Sequence, residues 1–356
     1  MEFDKNDTKY LKGIAICFML WHHLFGQPMI LAENSFTSLI TLNGNQLAYT
    51  IAIFCKLCVA LFTVLSGYGI YKSSQRSVTD GRFIGRHILR LYKNVWLIFI
   101  IALPVYVYNY RNFGSGIISE SIYNFFGIKA TFNREWWFIF PYVILLACFP
   151  AIKRFVDRSR ASFAGDIIIL ALFSAFYIYI LPPIMESSIF ADFSGTIFNG
   201  NLSLTLELLP SFVAGCMLAR YDILSTIKTK FAGRGIWCAI AVIALLAVFI
   251  VRFSSSILYD FIYAPVYIIC FLILMPTKPF KLCSKVFIAL GEESAVMWLV
   301  HSFFCYYWGQ KLVYFPKYPV IIFIWCTILS FFTAKIIDKI RGWLERLYAK
   351  AMLPKA

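Results

Sequence analysis

Charge is scarce in this chain. Only 14% of its 356 residues are Asp, Glu, Lys or Arg, while 60% are hydrophobic and the mean hydropathy is +0.74. That balance excludes a water-soluble globular domain and points to a polytopic membrane protein. A cleavable leader is not expected either: the first apolar run is too long for a signal-peptide core and has no small-residue cleavage site, so it reads as a retained transmembrane helix. There is no internal repeat, low-complexity tract or long linker, and no stretch beyond the last apolar run suggests a soluble domain. The ten cysteines are scattered, nearly all inside apolar runs, where cysteine behaves as a small hydrophobe. Cys55 and Cys58 form a C-x-x-C with no second ligand pair, so neither a disulfide framework nor a metal site is expected.

What the chain has in abundance is long apolar segments. They predict an all-α transmembrane bundle of about ten spans, at 11–31, 47–71, 83–109, 136–152, 164–184, 201–219, 235–252, 257–276, 285–309 and 318–338. The net charge of +15 is distributed asymmetrically. With the N-terminus inside, most Lys and Arg fall in segments around 5–12, 72–93, 153–160, 220–234, 278–285 and 335–355. Arg111, Lys129, Arg134, Arg252, Lys311 and Lys317 are left outside. The asymmetry places both termini in the cytoplasm and accounts for the basic excess through topology and anionic lipid, with no call for nucleic acid.

Four features stand out against this background. The run Tyr10 to Leu31 holds Lys12 near one end and His22 and His23 near its middle. Lys12 and His23 are eleven residues apart, which leaves them about 20° apart around a helix and about 16 Å apart along it. One helix face thus carries a cation near the membrane surface and an imidazole deeper in. Lys12 alone fits a positive-inside anchor, whereas a histidine pair at membrane depth points to function. Second, Lys56 inside the second span needs a partner, and Glu207, at similar depth in the sixth, is the candidate; a structural ion pair and a substrate-binding pair fit equally. Third, Arg82, Arg86 and Arg90 recur every four residues at the start of the third span, with His87 beside them and Lys93 following. This stripe suits the phosphates of a cytosolic donor or lipid headgroups. Fourth, the loop 110–135 leads into Arg134-Glu135-Trp136-Trp137, an interfacial aromatic belt or a platform for sugar rings. Arg252, Asp192 and Asp260 fall near outer ends, where solvation is expected. His301, in the outer half of the ninth span, lies at a depth that would let it share a polar cavity with His23, Lys56 and Glu207.

Taken in order, several of these landmarks resemble the integral-membrane acyltransferase family three, whose members move acyl groups, mostly acetyl, onto glycans. Lys12-Gly13-Ile14-Ala15-Ile16 followed by His23 matches its R/K-x10-H signature. Phe62 to Ser66-Gly67-Tyr68, the arginine-rich entry to the third span, Trp136-Trp137-Phe138, and Gly291, Ser294 and His301 follow in the expected order. The resemblance implies a single acyltransferase domain over 1–356, in the short form without an appended hydrolase-like domain, in a bacterial plasma membrane. It implies His23 as the essential histidine, Lys12 as its signature partner, Arg90 as a holder of acyl-CoA and Ser66-Gly67-Tyr68 as core packing. The family's R-x-x-R is altered here, with His87 at its first position and Arg86 just before it, and the proline that commonly follows is absent.

The expected reaction is therefore O-acyl transfer from acyl-CoA, chiefly acetyl-CoA, to a hydroxyl of a cell-surface or lipid-linked glycan, with no tightly bound cofactor and no metal. His23, His22, Glu207 and His301 are the candidate catalytic groups, with Glu135 as a second carboxylate able to polarise the histidine. Lys12, Arg86, His87 and Arg90 are the candidates for holding the donor. His23 could act as general base or carry the acyl group itself. The rival from another class is an exporter of polysaccharide or lipid-linked sugar that uses Lys56 and Glu207 as an intramembrane relay.

Overall fold

A computed structural model describes residues 2–27, 36–37, 40–42, 44–109, 116–158, 162–185, 196–254 and 259–352; Tyr110, Arg111, Arg160, Asp192 and Lys355 lie outside the described residues. The protein is an all-α polytopic bundle. Its helices are α1 (Lys5–Phe25), α2 (Leu47–Cys55), α3 (Cys58–Ser74), α4 (Gly81–Asn109), α5 (Gly116–Phe125), α6 (Ile139–Val156), α7 (Phe163–Ala175), α8 (Leu181–Met185) and α9 (Ile197–Arg220). They continue with α10 (Ile223–Phe231), α11 (Gly235–Ser254), α12 (Asp260–Leu274), α13 (Lys278–Leu282), α14 (Ser284–Cys305), α15 (Gln310–Tyr314) and α16 (Pro319–Met352). The described β structure is one two-residue hairpin, Thr41–Leu42 with Asn45–Gln46.

Among the described residues, eight helical segments are long and apolar enough to cross a membrane, counting α2 with α3 as one and α7 with α8 as another. The other two expected spans are also helical, as α1 and the shorter α12. The second span is broken: α2 stops at Cys55 and α3 starts at Cys58, with Lys56 and Leu57 between them. The fifth passes through one π turn, Phe176–Ile180, between α7 and α8. Of 34 residues, α16 is about 50 Å long and outruns a bilayer core at one end.

The first span is displaced from its expected position. Asp4 caps α1 through the backbone N–H groups of Asn6 and Asp7, and the Asp7 carboxylate accepts the Asp4 N–H, so the helix starts at Lys5. It ends at Phe25, which puts His22 and His23 in its last turn, not at its middle. Lys12 is correspondingly two turns inside the helix.

Two glycine crossings fix the bundle. A Cβ on Gly13 would collide with the Phe287 carbonyl, and one on Gly291 with the Lys9 carbonyl and the Gly13 nitrogen. These reciprocal approaches make α1 and α14 a parallel pair in the register Gly13 to Gly291. A second parallel pair, α3 and α9, repeats the arrangement with Gly67 against the Phe212 carbonyl and Gly215 against the Val64 carbonyl, and Cys216 Sγ donates to the Gly67 carbonyl at 3.4 Å. Without hydrophobic drive between helices in lipid, such close backbone approach supplies dispersion contacts that a larger residue forbids. The two large apolar clusters meet along α1: Tyr10, Leu11, Ile14 and Ala15 belong to one, Ile16, Met19, Leu20 and Leu24 to the other.

The basic segments gather at one end, where ion pairs knit the helices: Lys9–Glu292 at 3.0 Å, Lys228–Asp7 at 2.6 Å, Lys72–Asp222 at 3.0 Å, Lys93–Glu345 at 2.6 Å and Lys335–Glu293 at 2.5 Å. At the opposite end the expected solvation of Arg252 and Asp260 does not hold. Both are buried in a two-pronged ion pair, Nε and Nη2 to the two carboxylate oxygens, each 2.7 Å. Buried within the protein, the two charges satisfy each other.

The crossing predicts a sharp asymmetry between glycines. Gly291→Ala should cost on the order of 1–3 kcal/mol by overpacking. Gly69→Ala, with open space where its Cβ would go, should leave stability unchanged or raise it by up to about 1 kcal/mol. Thermal unfolding in detergent, followed by loss of the monodisperse peak, reads both.

Candidate active site

The register of α1 and α14 carries forward to the histidines. His23 is ten residues beyond Gly13 and His301 ten beyond Gly291, so two parallel helices joined at the glycines present both imidazoles at one level. Their ring centroids are 4.7 Å apart, and His22 and His23 are 5.0 Å apart. All three are buried.

A carboxylate reaches this cluster from a third element. Glu135 Oε2 lies 3.2 Å from His23 Nδ1, and the Tyr306 hydroxyl lies 3.1 Å from the same nitrogen. Glu135 sits on a 3-10 turn, Arg134–Phe138, whose position is fixed by buried amides. Asn133 accepts the Glu135 N–H at 3.2 Å and donates to Ser302 Oγ on α14 at 2.8 Å. Trp136 Nε1 donates to the Leu299 carbonyl at 3.0 Å, and the Arg134 N–H to the Tyr307 hydroxyl at 3.0 Å. Upstream, Asn124 accepts the Phe132 N–H at 3.0 Å, and Gly127 turns the chain at φ +67°. The loop is thus anchored to α14 on both sides of Glu135, and the carboxylate is held against His23.

Each histidine has a distinct role in the hydrogen bonding. His22 Nδ1 donates to the Ala52 carbonyl at 2.8 Å, tying α1 to the last turn of α2. His301 Nδ1 donates to the Trp298 carbonyl at 2.6 Å, which leaves Nε2 as the acceptor; that atom is buried and has no hydrogen-bond partner among the described residues. The Glu135 carboxylate beside His23 Nδ1 selects the tautomer protonated there and leaves Nε2 with a lone pair. The arrangement is that of a base with an orienting carboxylate behind it, in a site where a second, unsatisfied acceptor awaits a donor.

The remaining sequence candidates are placed elsewhere. Glu207 is half-buried on α9, beyond hydrogen-bond distance of the histidines. Arg86 and Arg90, with Arg82, are exposed on the side of α4 opposite its packed face. His87 donates to the Phe83 carbonyl at 2.9 Å, its ring 4.5 Å from Phe83. Lys12 shares the His23 face of α1 and is desolvated by surrounding protein, yet keeps accessible surface and makes no hydrogen bond or ion pair among the described residues. Glu135, one of the two carboxylate candidates, and Tyr306 are the groups that the fold places against His23. Asn133 two residues before an acidic residue at a helix start is the local signal for the first; nothing in the sequence marks the second.

A family model described as an acyltransferase domain matches residues 6–337. The chain belongs to acyltransferase family 3. No curated protein and no solved structure matches it. In this acyltransferase, the match spans both glycine crossings, all four histidines and Glu135.

If Glu135 orients His23, Glu135→Gln should lower acyl transfer by the purified acyltransferase roughly a hundredfold or more, because an amide does not enforce the reactive tautomer. Tyr306→Phe should cost less than about tenfold, the loss of one neutral hydrogen bond. Equal amounts of folded protein, set by size-exclusion profile, make the comparison.

Proposed function

We propose that the protein transfers an acyl group, chiefly acetyl, from acyl-CoA to a hydroxyl of a cell-surface or lipid-linked glycan, with His23 as general base and Glu135 behind it. The observation that carries this reading is the 3.2 Å contact between His23 Nδ1 and the Glu135 carboxylate, buried where the α1–α14 register brings His23 and His301 level. The acceptor hydroxyl gives its proton to His23 Nε2 as its oxygen bonds to the thioester carbonyl carbon. Collapse of the tetrahedral species breaks the C–S bond, and the CoA sulfur takes the proton from the imidazolium, giving ester and free thiol. Glu135 stabilises the imidazolium between those two steps. His301 Nε2 offers an acceptor for a substrate hydroxyl at the same level.

The donor enters from the basic end. Lys12 lies about 16 Å from His23 on one helix face, a distance suited to the pantetheine arm, with the CoA phosphates nearer the helix start. Arg86 and Arg90, exposed on the outer side of α4, are free to meet either those phosphates or lipid headgroups. The exporter alternative draws little from the structure, since Lys56 and Glu207 form no ion pair within 4.0 Å.

Proton NMR of the surface polysaccharide tests the reading in a deletion strain complemented at matched protein levels. Wild type and His22→Ala should restore the O-acetyl signal and His23→Ala should not. Full restoration by His23→Ala would remove His23 from the reaction, and no O-acyl signal of any length with wild type would remove glycan acylation.

A further inference from the structure

The break between α2 and α3 is held open by two groups from other helices. His22 donates to the Ala52 carbonyl, and Arg252 Nη1 donates to the Ile53 and Phe54 carbonyls at 2.9 and 3.0 Å. Backbone within a membrane must be satisfied internally, and here a buried, Asp260-paired guanidinium does it. The break leaves Lys56 as the residue that closes α2, about 14 Å from the helix start at Leu47.

Glu207 faces the same region from α9. In the Gly67–Gly215 register it lies within about one turn of the level of Lys56. The two charges act on each other, and Lys56 acts also on His22 and His23. Yet both side chains are half-buried, and neither has a hydrogen bond or ion pair among the described residues. Two opposite charges at membrane depth would ordinarily close into a pair, since leaving either alone is costly.

We propose that Lys56 and Glu207 form the acceptor subsite and bind an uncharged, hydroxyl-rich sugar unit whose reacting hydroxyl reaches His23. This deepens the acyl-transfer reading and rests on it. An ammonium with three donors facing a carboxylate with two acceptor oxygens is matched by hydroxyls, each of which both accepts and donates. Lys56 with Glu207, and Arg252 with Asp260, sum to zero charge, which favours neither an anionic nor a cationic ligand. Arg252 is a positioning residue: it holds the carbonyls of the break and so sets where Lys56 stands.

The test uses purified full-length protein in lipid nanodiscs, radiolabelled acetyl-CoA, and surface polysaccharide from the source cells de-O-acylated with mild alkali. Lys56→Gln and Glu207→Gln should each raise the KM for polysaccharide about tenfold or more, as expected for losing a hydrogen bond to a charged group. The KM for acetyl-CoA should move less than about twofold, and the double variant should be worse than either single. A structural ion pair gives the opposite pattern: lowered Tm in each single variant, recovery in the double, and unchanged KM for polysaccharide; that result overturns the subsite. If a neutral variant does not fold, Lys56→Arg and Glu207→Asp keep the charge but shift it, and unchanged KM in both would equally overturn the proposal. Transfer by wild type with unaltered variants defeats this inference alone, whereas no transfer by wild type defeats glycan acylation itself.

Discussion

The close crossing of α1 and α14 is the constraint on which the rest depends. Each helix contributes a glycine whose missing side chain is filled by a backbone carbonyl of the other, so the pair can neither slide nor separate without losing contact on both sides. Because the helices run in parallel, the register set at Gly13 and Gly291 persists to His23 and His301 ten residues on. The same α14 then receives the loop before α6 through Ser302 and Leu299, with Tyr307 just beyond its end, and that loop delivers Glu135. One backbone contact near the basic end therefore determines which side chains meet about 15 Å away.

The α3–α9 pair performs a parallel task for the other half of the polar interior. Its register brings Glu207 level with the end of α2, where the chain departs from helix. That departure is stabilised from both sides, by His22 of α1 and by Arg252 of α11. The helix that carries His23 and the proposed acceptor region thus share a hydrogen bond at Ala52. Their geometry is coupled through His22, whose Nδ1 is occupied with backbone, whereas Nδ1 of its neighbour His23 meets Glu135 and Tyr306.

Apolar length made the all-α class and the order of the long helices legible in the sequence, because hydropathy alone selects what can reside in lipid. The spacing of Lys12 and His23 was legible for the same reason that any helical face is. Depth was not: the Asp4–Asp7 cap starts α1 at Lys5 and moves the histidines to its last turn. The interruption at Lys56 carries no Gly or Pro and is stabilised by Arg252, nearly two hundred residues away, so no local pattern announces it. Arg252 and Asp260 looked solvated because each sits near a helix end; their mutual pairing, with the bonds from Arg252 to the Ile53 and Phe54 carbonyls, satisfies them in a buried position. The arginine stripe of α4 gave the correct spacing, but periodicity does not say which way a stripe faces, and it faces away from the core. Glu135 could be named from its neighbours but not chosen over Glu207, since the choice depends on an amide anchored to Ser302.

The central claim is that the acyl carbon of the donor is brought to His23 at the far end of α1 from the basic segments. A cryo-electron microscopy structure in nanodiscs with a non-reactive thioether analogue of acetyl-CoA tests it most directly. The expected result is the analogue's carbonyl carbon within about 5 Å of His23 Nε2, leaving room for the acceptor oxygen between them, with its pantetheine arm along the Lys12 face of α1. An analogue held with its acyl end remote from His23 and Glu135 would contradict it.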